Sequence, residues 1–159
     1  MRICGNCGIA EQRAADKIVV DSMSDTIYRV SENIIRIQAD TDVCVVLNNT
    51  NASAVINKYN KALNESALIG TGMQIVLIAD EKTVDNLYVV VVADIDCDGK
   101  ITANDARDAL RASVGLDKIE KASPQYAAGD VDGNGSITAS DAWLILRASV
   151  GLENSKEWV

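Results

Sequence analysis

Four aspartates within twelve residues pose the first chemical question of this sequence. Asp94, Asp96, Asp98 and Asp105 stand at positions 1, 3, 5 and 12 of one segment, with Gly99 at position 6. Thirty-six residues on, Asp130, Asp132, Asn134 and Asp141 repeat the spacing around Gly135. Oxygen donors so placed suit a hard cation. Calcium takes about six to eight oxygens at roughly 2.3–2.6 Å, so the chain must fold tightly on itself, and glycine gives the backbone freedom for that turn. The carbonyls of Lys100 and Ser136 at position 7 are expected to point inward, and Thr102 and Thr138 at position 9 to act through water. The expectation is two calcium ions per chain. Thr102-x-x-Asp105 and Thr138-x-x-Asp141 also read as helix capping boxes. Capping alone, however, needs no acids at positions 1, 3 and 5, and close carboxylates without a cation repel.

Other chemistry is thinly represented. The 159 residues contain no histidine and only 4% aromatics, which removes the commonest general base and most stacking platforms. No catalytic constellation is found, and the chain is read as non-enzymatic. A net charge of -8 argues against nucleic acid or an anionic membrane as main partner, since both require a basic footprint. No apolar run approaches the length of a membrane helix. Cys4, Cys7, Cys44 and Cys97 permit up to two bridges without forming a disulfide scaffold. Cys4-x-x-Cys7 reads as half of a zinc knuckle or as a frayed tail with two thiols. The Asn-x-Ser/Thr triplets at Asn48, Asn51 and Asn64 matter only in a glycosylating pathway.

The elements that must position these loops fall into two compositions meeting near residue 93. Upstream, Ile27, Val30, Ile34, Ile35 and Ile37 suggest two strands around Ser31-Glu32-Asn33. Thr41-Asp42 open a short apolar run at Val43–Leu47 that reads as one to three helical turns with a cap-like Thr41 or Asp42, or as a strand, and Ala54-Val55-Ile56 starts a further strand. Gly70-Thr71-Gly72 turns into the Met73–Ile78 run, Asp80-Glu81-Lys82 makes the next turn, and Leu87–Val92 reads as a central strand. Downstream, the duplication extends beyond the loops to the same words, Leu-Arg-Ala-Ser-Val-Gly-Leu, at Leu110–Leu116 and Leu146–Leu152. Each copy reads as a loop followed by a helix, with Gly115 and Gly151 as C-terminal caps. Helical spacing of Ala106, Ala109, Leu110 and Val114, and of Ala142, Ile145, Leu146 and Val150, predicts the seam between the helices. Ile101 and Ile137 are expected to pair across a short bridge between the loops. The segment Ser123–Gly129, with Pro124, is read as non-helical.

The loop spacing resembles the EF-hand, but position 12 is aspartate rather than glutamate, which weakens the case for strict calcium selectivity. With no helix expected before either loop, residues 93–152 resemble a dockerin, the calcium-dependent docking element of cellulosomal proteins. The resemblance implies binding to a cohesin, a β-sandwich domain on a scaffoldin or cell-surface anchoring protein. It places recognition on Ala103, Asn104, Arg107, Asp108 and Arg111 of the first repeat and Ala139, Ser140, Trp143, Leu144 and Arg147 of the second. Where familiar dockerins carry Ser-Thr, this chain has Ala-Asn and Ala-Ser, so a cohesin of another specificity class is expected. Trp143 and Leu144 against Arg107 and Asp108 favour one dominant binding mode, with Trp143 as anchor. Gly70-Thr71-Gly72-Met73 and Tyr88–Val92, running directly into the first loop, are similar to accessory X-modules that support dockerins in ruminococcal and clostridial surface proteins.

The expected fold is a small α+β, mainly β, N-terminal domain followed by an all-α dockerin with two EF-hand-like loop-helix motifs. Its parts are a poorly ordered segment at 1–24, the accessory domain at 25–92 and the dockerin at 93–159. The expected function is non-catalytic docking that assembles a cellulosome-like polysaccharide-degrading complex, with the N-terminal domain as support. The alternatives are a polysaccharide-binding N-terminal domain tethered by the dockerin, or a C-terminal fragment of a larger secreted enzyme. The resemblance implies a secreted, extracellular location, although the first residues lack the apolar core of a signal peptide.

Overall fold

β-Branched runs separated by tight turns build one five-stranded sheet in the computed structural model, which describes residues 16–21, 27–29, 31 and 33–158. Strands β1 (Ile27–Arg29), β2 (Ile34–Ile37), β3 (Ala54–Ile56), β4 (Gln74–Ala79) and β5 (Lys82–Val91) lie in the order β1-β2-β5-β4-β3. β1 and β2 form an antiparallel hairpin with Ile27 opposite Ile37. β4 and β5 pair antiparallel across Asp80 and Glu81, whose φ angles of 48° and 61° give the left-handed turn that matches strand twist. β5 is central: its other neighbour is β2, in parallel register with Ile35 opposite Val89. That position explains why Leu87, Val89, Val90 and Val91 are all buried. Helix α1 (Val43–Asn48) starts at Asp42, whose Oδ1 accepts from Val45 N at 2.9 Å, and it turns Val43 and Val46 into the same core. Ile18 is wholly buried there too, its N–H donating to Asp85 Oδ2 at 2.7 Å. It belongs to the part of the 1–24 segment that is described. Cys4 and Cys7 lie outside the described residues.

Three further helices follow: α2 (Ala103–Ser113), α3 (Pro124–Gly129) and α4 (Ala139–Ser149). A 3-10 turn closes the chain at Ser155–Trp158. The expectation of a mainly β domain followed by an all-α dockerin is corrected here. The chain is a small α/β protein with a mixed sheet and short helices, and sheet and helices interlock. α3 packs on β5, and Ala93 N, just past that strand, donates to Ala128 O at 2.8 Å. Helix α3 is itself a correction. Proline breaks a helix from inside, but Pro124 occupies the first turn, where its missing N–H costs nothing, and Ser123 caps it by accepting from Tyr126 N.

The seam between α2 and α4 also differs from the expected one. Ala106, Ala109, Ala142 and Ile145 are buried, whereas Leu110, Val114, Leu146 and Val150 face solvent. Small residues let the two helices approach closely, and the rotation that buries them carries the larger side chains outward. Ile101 and Ile137 pack against this second cluster instead of bridging one another, and the isolated bridges among the described residues lie elsewhere. Gly115 and Gly151, with φ of 74° and 73°, end the helices as left-handed caps. In urea denaturation, Ile145→Ala should lose about 2–4 kcal/mol while the neighbouring Leu146→Ala changes by less than about 1 kcal/mol. Equal losses would restore the broader seam.

Candidate metal centre

The aspartates at position 12 close both loops by the same hydrogen bonds. Asp105 Oδ1 accepts from Ile95 N (2.9 Å) and Asp96 N (3.1 Å), while its Oδ2 accepts from Thr102 N (2.8 Å) and Thr102 Oγ1 (3.0 Å). Asp141 repeats this with Val131 N, Asp132 N, Thr138 N and Thr138 Oγ1 at 2.9, 3.2, 2.8 and 2.9 Å. Both carboxylates are fully buried. One side chain thus ties the start of each loop to its end and caps the helix behind it. The position 9 threonines are engaged in that cap, their hydroxyls also accepting from Asn104 N and Ser140 N.

Acids converge in each loop. Carboxylate oxygens of Asp94, Asp96 and Asp98 lie within 4.8 Å of one another, and so do those of Asp130, Asp132 and Asp141. Asp98 and Asn134 at position 5 accept from Lys100 N (2.8 Å) and Ser136 N (3.0 Å), which curls the chain around the cluster. Gly99 and Gly135 adopt φ of 84° and 88°, as the position 6 turn requires. Position 4 is left-handed as well, occupied by Gly133 in the second loop and by the free thiol residue Cys97 (φ 70°) in the first. Asp130 Oδ1 is shielded from solvent and has no hydrogen-bond partner. A buried oxygen left unpaired costs free energy that a bound cation would recover, so the donor set fits a hard metal ion.

Charge tells the same story in the first loop. Burial pushes the Asp94 carboxyl up to about 6, with nearby Asp105 adding to the rise and the Thr71 N–H opposing it. Burial, with Asp105 and Asp98 nearby, also raises Asp96. A cation held there would supply a countercharge. The part played by Thr71, whose N–H reaches Asp94 Oδ2 at 2.8 Å, has no signal in the loop spacing. Its only mark in the sequence is the Gly70-Thr71-Gly72 turn.

The residues assigned to partner recognition lie on the outer sides of α2 and α4. Ala103, Asn104, Arg107, Arg111, Ala139, Ser140 and Trp143 are exposed, and Asp108, Leu144 and Arg147 are half-buried. Trp143 is 56% exposed rather than packed between the helices, with the Arg147 guanidinium 4.6 Å from its ring centre. Arg111 pairs with Asp117 and Arg147 with Glu153 at the helix ends. Among the described residues no helix is long and apolar enough to cross a membrane. Family models, curated proteins and solved structures yield no match to this chain.

The raised Asp94 predicts a pH dependence of the chelator-treated protein. A carboxyl near 6 when folded and near 3.8 when unfolded favours the fold in its protonated form, so that stability is present at low pH and lost as pH rises through 6. Between pH 5 and 7.5 the unfolding free energy should fall by about 1–2 kcal/mol. Urea titrations across that range should show the fall, and saturating calcium should abolish it. A flat profile with chelator would remove the electrostatic argument.

Proposed function

We propose that this chain is a non-catalytic, calcium-dependent docking protein whose helical surface binds a cohesin on a scaffoldin or cell-surface anchor. In this reading the sheet serves as structural support and the assembly degrades polysaccharide outside the cell. The observation that carries the docking reading is an exposed apolar stripe in each repeat, running from the helix into the turn that ends it. Leu110, Val114, Leu116, Leu146, Val150 and Leu152 are between 46% and 68% exposed. They come from matching positions of the two repeats, and Trp143 adds a large aromatic surface nearby. Large apolar side chains exposed at repeated positions suit a protein partner. Each stripe half belongs to a helix whose first turn is hooked to a position 12 aspartate, so an ion in the loop would stabilise the surface that docks.

The specificity is that of a partner groove able to receive aliphatic side chains and an indole, with Arg107, Arg111 and Arg147 at the rim. Calcium at extracellular, millimolar levels suits loops of this type. A second reading, saccharide binding, draws on a cleft of about 340 Å³ between the sheet side and the first acidic loop, where exposed Tyr59 stands beside Asn57, Lys58, Asp96 and Gln125 of α3.

A cohesin panel probed by surface plasmon resonance with calcium and with chelator tests the proposal. Binding to at least one cohesin is expected only with calcium, and Trp143→Ala or Leu146→Arg should weaken it by about tenfold or more, roughly 1.4 kcal/mol, with far-UV circular dichroism unchanged. Binding that survives chelation and both substitutions would sink it. Retardation in polysaccharide gels with no cohesin bound would favour the saccharide reading.

A further inference from the structure

The two acidic loops repeat one another in sequence, yet their neighbours differ. The first loop lies backbone on backbone against the sheet domain. A Cβ added to Gly70 would stand 2.2 Å from Cys97 O, and one added to Gly99 would stand 2.7 Å from Ile69 O. Asp40 N donates to Gly99 O at 2.8 Å, and Thr71 N donates to Asp94 Oδ2 at 2.8 Å. The Thr71 hydroxyl in turn bonds both Val91 O and Val91 N, at 3.1 Å each, and so reaches the end of β5. Residues 40, 69–71 and 91 therefore hold the first loop from the side of the sheet.

The second loop has much less support. A Cβ on Gly133 or Gly135 would meet no atom within 4 Å. Tyr126 Oη donates to Gly135 O at 3.2 Å from helix α3. Asp94 accepts backbone N–H groups on both oxygens, from Asp98 within the loop and from Thr71 on the sheet side, whereas Asp130 accepts only from Gly135 N of its own loop, at Oδ2. The ligand charge differs as well: four aspartates occupy positions 1, 3, 5 and 12 of the first loop, and Asn134 replaces one of them in the second. Ligand charge and rigidity both raise the affinity of such loops, because a site already ordered by its surroundings loses less freedom on binding.

We infer that the loops form unequal cation sites. The first is a tight structural site through which the ion stabilises the sheet as well as the helices; the second is a weaker, exchangeable site that sets α4 and its half of the apolar stripe. This rests on the calcium reading of the loops given above. It adds that sheet stability is linked to the first site alone, and that partial calcium depletion disarms the stripe before it loosens the fold.

Calorimetric titration of the chelator-treated full chain with calcium chloride, with hydrogen exchange of β4 and β5 amides, tests it. The wild type should show two phases with affinities at least about tenfold apart. Asp96→Ala and Asp132→Ala alter matched, exposed positions and should both remain folded by circular dichroism. Asp96→Ala should remove the tight phase and lower exchange protection in β4 and β5; Asp132→Ala should remove the weak phase and leave that protection unchanged. Gly70→Ala should weaken the tight phase only. Two equal phases, or β5 protection indifferent to Asp96→Ala, would overturn the inequality while leaving calcium binding intact. Absence of any binding heat or calcium-induced protection at millimolar calcium would overturn the calcium reading and this inference together.

Discussion

The contact between residues 69–71 and 97–99 is the constraint on which the rest of the structure depends. Two glycines, Gly70 and Gly99, bring main chain against main chain where any side chain would collide with a carbonyl. From that contact Thr71 reaches both Asp94 and β5, so the end of the central strand and the beginning of the first acidic loop share one set of hydrogen bonds. The sheet thereby supplies a rigid floor for a loop that would otherwise be a short acidic turn. Helix α3 packs on the same strand, and the Ala93–Ala128 hydrogen bond holds the second repeat to the first.

Loop closure and helix capping prove to be one device. Asp105 and Asp141 each gather four donors, two from the start of the loop and two from the threonine that begins the helix. Such a carboxylate has donors on both oxygens, so it organises the loop, while Asp94, Asp96 and Asp98 of the first loop and Asp130 and Asp132 of the second carry the unbalanced charge. A capping role and a cation-holding role are therefore not rivals in these segments. The cap sets the path of the chain, and the path gathers the remaining oxygens.

The helices show a similar division of labour. Their mutual seam is built from alanines and Ile145, which permits close approach but buries little apolar area. Additional cover comes from the chain end, where half-buried Trp158 packs against this cluster and its carbonyl accepts from Arg36 Nη1 of β2 at 3.4 Å. The larger aliphatic residues are left outside, which costs solvation in an isolated chain and is coherent if the outer surface has a partner.

Local features are legible in the residues: the β1–β2 hairpin, the Asp80–Glu81 turn, the central place of β5, and the folding of both acidic loops about glycine, whereas the β-branched run after Asp42 reads as helix or strand until its packing is known. Each depends on neighbours within a few positions or on the burial of a continuous apolar run. Helix α3 is hidden in the sequence because proline opposes helix by type, and only its place in the first turn makes Pro124 compatible with one. The seam was drawn too wide because periodicity marks a helix face to within about one residue row and cannot choose between Ala109 and Leu110. The junction at Gly70 and Gly99 was missed because a close approach between distant glycines leaves no periodic trace. The sequence by itself determined the loops, caps and strands, whose energies lie in short-range hydrogen bonds and backbone preferences. Only the tertiary structure decided which helix face turns inward and which loop the sheet holds, because those choices depend on shape and close packing between segments far apart in the chain.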